Sequence, residues 1–399
     1  MTRQTLWRGV LAAGLSLAAV AILASVARTA YIEEEFPRPA PGRVAPPVPP
    51  VPLPEPYRPP IRRPPVAPHV PELAEYLDRL DVLGPVACGR LAVFPVVARE
   101  GPSPGGRWWA ADAAIAKGIL VVTERGGGGE VPVIVMENRS RDAYVFVMGG
   151  EVVSGGKQTR TLRQDVVLVP RQRVEAPVFC VEAHRWHGGA EFRGGEVLVP
   201  QSIQRELRKG ADQAAIWGEV ARSNAGLGAA SATGNLEDGL KAAPVRRDLE
   251  RVRRTIVPEV PAESVGFIFV DRQAGGAIGA ELFGRADLAR ALLAKLIDAY
   301  AVDLVLPAGG REAFAPPPAE AAWDFLNRIR RAGSHRTETP GSGTGIGQRA
   351  IGLVGDGVSV GGDLVHFGSQ VEGRVIAAPV RPGPPRRRGS PQPQELYGD

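Results

Sequence analysis

The chain has 399 residues, 44% of them apolar and 23% charged, with 38 prolines, 49 glycines and 2 cysteines. This excludes a disulfide-stapled mini-protein, a multipass membrane protein and a wholly disordered chain. The net charge of +5 sits in the flanks: residues 37–71 hold five Arg against Glu55, and residues 379–399 hold four Arg against Glu395 and Asp399. The body between them is nearly neutral, so no nucleic-acid partner is expected.

Arg3 and Arg8 precede an uncharged stretch, Gly9–Ala27, rich in Ala, Leu and Val. Its 19 residues approach the span of a bilayer helix. Ser25-Val26-Ala27 offers small residues for signal-peptidase cleavage. Residues 1–30 are therefore expected to be a signal peptide or a membrane anchor, and the body to be extracytoplasmic, anchored or secreted. Residues 31–71 form a linker in which 16 prolines fall within 37–71. Such a run favours an extended polyproline spacer of about 3.1 Å per residue. The folded domain is placed at 72–378, with a split near residue 200 as the alternative, and 379–399 reads as a basic, proline-rich disordered tail.

Leu73, Tyr76, Leu77 and Leu80 have helical spacing and open the domain. Strands are predicted at Leu91–Val97, Ile119–Glu124, Val131–Glu137, Ala143–Met148, Glu151–Ser154, Val166–Pro170 and Pro177–Val181, with a short helix over Asp112–Lys117. Helices follow at Ser202–Leu207, Gln213–Ser223 and Leu236–Ile256, the last broken by Pro244. Val265–Asp271 and Ala277–Phe283 form a hairpin across Ala274-Gly275-Gly276. Arg285–Tyr300 carries a leucine stripe, and Ala319–Arg331 is amphipathic. Residues 333–347 read as a Gly/Ser/Thr loop before a closing hairpin of Ile351–Val360 and Leu364–Phe367. The fold class is thus α+β: a mainly antiparallel β-rich first half, a helical middle and closing hairpins. Trp217 is expected in the core, Trp108-Trp109 at a helix entry, and His366 as a satisfied strand residue.

Two polar clusters stand out. In Glu151–Arg160, paired glycines permit close backbone approach, and Lys157, Gln158 and Arg160 offer donors to an anion. The spacing is not that of a P-loop, and a solvated hairpin is the plainer reading. In Cys180–His187, Glu182, Arg185 and Trp186 supply a carboxylate, a guanidinium and a stacking face. Cys180, His184 and His187 would need one helical face to bind zinc, yet Pro177-Val178-Phe179 favours a strand, so neither metal nor cofactor is expected. Cys88 and Cys180 allow at most one disulfide.

The same segments carry a resemblance. Val122-Thr123-Glu124, Val131-Pro132 with Asn138, and Gly150-Glu151 through Gly155-Gly156-Lys157-Gln158-Thr159-Arg160 belong to it. So do Cys180-Val181-Glu182 with Arg185-Trp186, Gln213 with Trp217, Gly279–Phe283 and Leu364-Val365-His366. Over about residues 85–370 the chain resembles the ARG and rhodanese-phosphatase-superfamily-associated protein domain, where ARG abbreviates ADP-ribosylglycohydrolase. Family members usually have Ala at Gly156, Asn at Thr159, Gly at His184 and Asp at Glu281. The family name implies a genetic neighbourhood of ADP-ribose processing. On this basis the expected ligand is a small anion, of nucleotide-derived, ADP-ribose-like type. It would be held by Lys157, Gln158, Arg160, Arg185, Trp186 and Glu281. One alternative is a hydrolase with Glu151 and Glu182 as base and acid. The other is a non-catalytic surface module.

Overall fold

The computed structural model describes residues 69–126, 130–304 and 314–373. The apolar N-terminal stretch, nearly all of the proline-rich spacer and the basic tail lie outside them. No helix among the described residues is long and apolar enough to cross a membrane.

Helix α1 (Pro71–Leu77) begins with proline at its first turn, where a missing N–H costs nothing. The chain then lays down β1 (Leu80–Val82), β2 (Val86–Cys88) and β3 (Leu91–Ala98). A long β-rich excursion follows: β4 (Arg107–Ala110), α2 (Ala111–Ala116), β5 (Leu120–Glu124), β6 (Val133–Asn138) and β7 (Ala143–Val147). It continues through β8 (Glu151–Gly155), β9 (Arg160–Leu162), β10 (Val166–Leu168), β11 (Arg173–Cys180) and β12 (Glu191–Leu198). Six of these strands close a barrel in the order β11-β6-β5-β12-β8-β9, with antiparallel neighbours throughout. The remaining three form a small sheet, β10-β7-β4, in which β4 runs parallel to β7. Leu120, Val122, Ile134, Met136, Val153, Leu162, Val178 and Phe192 fill the barrel core.

Four helices then pack outside: α3 (Gln201–Lys209), α4 (Gln213–Gly226), α5 (Leu236–Leu240) and α6 (Ala243–Ile256). The predicted run 236–256 is thus two helices, and Pro244 starts the second rather than interrupting one. Strands β13 (Gly266–Asp271) and β14 (Gly276–Phe283) form the predicted hairpin. After α7 (Ala286–Leu304) and α8 (Ala319–Ala332) come β15 (His335–Thr337), β16 (Thr344–Ala350), β17 (Leu353–Val360) and β18 (Asp363–Val371). The large antiparallel sheet runs β1-β3-β13-β14-β18-β17-β16-β15, with β2 also on β3.

This sheet is covered on both faces. Phe267 and Phe269 of β13 point into the core shared with α7, while Ile268 and Val270 join the core under α8 and α1. Such alternation is what a period of two requires. On α7, Leu288, Leu292, Leu293, Leu296 and Ile297 are buried, each worth about 1.5–3 kcal/mol against exposure. Tyr300 of the same helix stacks on Phe269 with ring centroids 3.7 Å apart.

Three expectations need correcting. A boundary near residue 200 would part β3 from β13, its hydrogen-bonded neighbour, and all described residues fall in one compact unit. The 333–347 loop contains β15 and part of β16, because alternating glycines (Gly345, Gly347) serve a strand here. Trp217 is 39% exposed rather than core, while Trp108, in the strand that leads directly into α2, is buried and stacks on Tyr144 as a helix-entry packing residue.

Candidate functional site

The two polar clusters of the sequence do meet. Gly156 has φ of 51°, and a Cβ there would lie 2.4 Å from Phe192, so the turn after β8 requires glycine. Beyond it, Lys157 N–H donates to Glu124 Oε1 at 2.8 Å, and Gln158 Nε2 donates to the Glu182 carbonyl at 3.0 Å. Arg160 Nη1 donates to Gln158 Oε1 at 2.8 Å and contacts Cys180 Sγ. Glu182 receives five donors. They are Thr159 N–H and Oγ1 at 3.0 and 3.1 Å, Arg185 Nε and Nη2 at 2.9 and 2.7 Å, and Thr233 Oγ1 at 2.8 Å. Burial pushes the Glu182 carboxyl up, but these hydrogen bonds outweigh it and hold it down at about 2. Arg185 also donates to the carbonyls of Gly155 and Gly156.

This meeting is packed rather than hollow. Gln158, Thr159, Arg160 and Glu182 are all buried, Lys157 and Arg185 are half-buried, and His184, Trp186 and His187 are exposed, Trp186 at 46%. The Lys157 ammonium and the Arg160 guanidinium both lie over its ring, 5.7 and 5.5 Å from the centroid. Cys88 and Cys180 are unbonded and buried, and burial pushes the Cys180 thiol up against the pull of Arg160.

Glu151 lies elsewhere. It is buried at the start of β8, ion-paired with Lys295 of α7, whose ammonium also meets Asp112 Oδ2 at 2.9 Å. Glu151 and Glu182 share no partner among the described residues, so the expected acid–base pairing is not what the fold assembles.

Glu281 belongs to a third group, reached from three elements. Arg208 of α3 grips it with Nη1 and Nη2 at 3.0 and 2.8 Å, and Tyr300 donates to it at 3.2 Å. Glycine makes the space: a Cβ at Gly368 would lie 1.8 Å from Arg208 Nη2 and 2.2 Å from Glu281 Oε2. His366 bridges Glu281 Oε2 at 3.2 Å and Asp165 Oδ2 at 2.7 Å. Burial pulls the imidazole down, but the two carboxylates outweigh it and raise it to about 9. Arg208 Nε reaches Asp356 Oδ1 at 2.7 Å. The result is a buried relay, Asp165–His366–Glu281–Arg208–Asp356.

Both ends of the relay open into one cavity of about 310 Å³ between the barrel and the large sheet. The segment after β15 forms its side by docking on the β9–β10 connection. Gln164 Nε2 donates to the Glu338 carbonyl at 3.2 Å, and Ser342 N–H to the Val167 carbonyl at 2.7 Å. Arg163 and Arg349 line the cavity with Asp165, Arg208 and Asp356. The Arg163 guanidinium lies over the Phe179 ring, and Arg349 donates to the Lys209 carbonyl. Neither has an ion pair to a carboxylate among the described residues, whereas the relay's cations, Arg208 and His366, do. Burial pushes the Asp356 carboxyl up, Arg208 pulls it back, and nearby Asp165 adds to the rise. Its side chain remains 29% exposed. No group of three or more His, Cys, Asp or Glu side chains among the described residues is placed to hold a metal ion.

A family model described as the ARG and Rhodanese-Phosphatase-superfamily-associated Protein domain, ARPP-1, matches residues 79–369. The chain belongs to this family. Comparison with curated proteins and with solved structures finds no match. The matched span of the ARPP-1 domain starts just before β1 and ends within β18, so barrel and sheet belong to one family unit. Within it, the cavity residues Arg163, Asp165, Arg208, Arg349 and Asp356 were not singled out by sequence reasoning. The available signal was glycine at alternate strand positions, Gly345/Gly347 and Gly355/Gly357, which marks close approach to a strand rather than a loop.

Proposed function

We propose that this ARPP-1 domain binds a small anionic molecule in the cavity between barrel and sheet, with Arg163 and Arg349 gripping its negative group. The observation that carries this reading is a pair of arginines, neither ion-paired to a carboxylate among the described residues, lining one concave site. Arginine forks suit phosphate and carboxylate oxygens better than a point charge does. The family description supports a phosphorylated, ADP-ribose-like ligand, and the N-terminal apolar stretch supports an extracytoplasmic setting. Calorimetric titration with ADP-ribose, ribose 5-phosphate and pyrophosphate tests the site. Arg163→Ala and Arg349→Ala are each expected to weaken binding about tenfold or more, since a charged hydrogen bond is worth about 1.5–3 kcal/mol. Trp186→Ala should leave it unchanged. Loss of binding in Trp186→Ala alone would return the site to the Lys157–Trp186 segment.

A hydrolytic reading is favoured by one further observation. Asp356, rather than Glu151 or Glu182, is a partly exposed carboxyl on the cavity wall whose protonated form is supported by burial. In this reading Asp356 would give a proton to a leaving oxygen. Asp356→Asn should then retain ligand affinity while abolishing turnover.

A further inference from the structure

Besides Arg163 and Arg349, three acids line the barrel–sheet cavity: Asp165, Glu338 and Asp356. A bare phosphate gains nothing by facing them. Asp165 is buried and both its oxygens are taken, Oδ1 by Gly149 N–H at 2.8 Å and Oδ2 by His366 Nδ1 at 2.7 Å, while Glu338 is exposed. Asp356 is different. Arg208 Nε occupies its Oδ1 at 2.7 Å, and Oδ2 has no hydrogen-bond donor among the described residues, although the side chain is half-buried. In register, Asp356 stands between Gly347 of β16 and Gly368 of β18, so its direct cross-strand neighbours put no side chain over it. Arg208 enters above Gly368, and the His335 imidazole above Gly347, where a Cβ would lie 2.7 Å from Nε2. Of the two, only Arg208 bonds the carboxylate.

A second acceptor lies close by. A small annex of about 10 Å³ shares Arg163, Asp165, Leu207, Arg208 and Asp356 with the cavity and adds Gly149 and Gln204. That is room for about one oxygen atom. Gln204 is buried, its Nε2 donates to the Val199 carbonyl at 3.2 Å, and its Oε1 has no partner among the described residues. The cavity therefore offers two arginines without a carboxylate and two acceptors without a donor. An ionised phosphate brings acceptors alone, whereas a hydroxyl brings the donor that Asp356 and Gln204 lack.

We infer, on the reading that Arg163 and Arg349 hold an anionic group, that the ligand is a sugar phosphate whose hydroxyls donate to Asp356 Oδ2 and Gln204 Oε1. The arginines take the phosphate, and the two acceptors select against anions that carry no hydroxyl. A site built to bond a hydroxyl rejects the analogue without it, because its own polar groups are left unpaired.

The test is calorimetric titration of the full chain with ribose 5-phosphate and with tetrahydrofurfuryl phosphate, which keeps the ring and the phosphate and lacks the hydroxyls. Ribose 5-phosphate is expected to bind about tenfold more tightly. Asp356→Asn keeps an oxygen on Arg208 and turns the open position into an amide donor, so it should bring the two affinities together, chiefly by tightening the hydroxyl-free ester. Gln204→Met, of similar size, should narrow the ratio and leave tetrahydrofurfuryl phosphate unchanged. Equal affinity for the two esters in the wild-type chain, or a ratio that survives both substitutions, would overturn the hydroxyl assignment and leave the anion site standing. Failure of both esters to bind would overturn the two together.

Discussion

Glu182 shows how a residue of apparently catalytic type is committed to holding the fold together. Five donors from three chain segments converge on one carboxylate, leaving it ionised at every physiological pH. Glu182→Gln replaces an acceptor with a donor facing Arg185 and Thr159, and breaking a buried pair typically costs about 3–5 kcal/mol. A drop of about 3 kcal/mol in urea-unfolding stability is expected, and an unchanged midpoint would contradict a structural role for Glu182. The sign of the pH effect follows. The folded carboxyl titrates at about 2, below its unfolded value, so its contribution is present at neutral pH and fades as pH falls toward 2. His366 behaves in the opposite sense. Its folded value of about 9 exceeds the unfolded one, so the stabilisation is complete below the unfolded value and lost as pH rises through 9. Denaturation followed from pH 6 to 10 should show this decline, and His366→Gln should flatten it.

At the scale of elements, α7 was legible because its leucines repeat with helical spacing on a long segment. The hairpin of β13 and β14 was legible because its turn glycines lie between two apolar runs. The barrel was not: its strand β9 is three residues long, buried at every position, and gives no alternation to read. β15 and β16 were hidden because glycine and threonine, common in loops, here line a cavity and leave room for side chains from elsewhere. The relay followed the same logic. Its members come from β14, α3, β17, β18 and the β9–β10 connection, a convergence that no local spacing reports. Gly368 is the element-level test. Gly368→Ala would drive a methyl into Arg208 and Glu281, and overpacking of this kind costs about 1–3 kcal/mol. Because Arg208 also holds Asp356, ligand affinity in the cavity should fall along with the melting temperature. An alanine variant with wild-type stability and affinity would show that the relay has slack.

At the scale of the molecule, the chain starts the large sheet with β1–β3, leaves to build the barrel, and returns at β13 to complete it. The cavity exists because of this route: Arg163 and Asp165 come from the excursion, while Arg208, Arg349 and Asp356 come from after it. The anion site expected from the sequence required the segments near 157 and 182 to line a common hollow; they do meet, but their meeting is a packed seam of the barrel. The two arginines without a carboxylate partner, Arg163 and Arg349, lie instead where barrel meets sheet. Anion binding there should also tighten as pH falls, because Asp356, raised by burial beside Asp165, sheds its negative charge on protonation. The most direct measurement is a crystal structure of the full chain grown with ADP-ribose or pyrophosphate. The account predicts phosphate oxygens between the Arg163 and Arg349 guanidinium groups, within hydrogen-bond distance of both. Phosphate density at Trp186 and Lys157, with the barrel–sheet cavity holding only solvent, would contradict it.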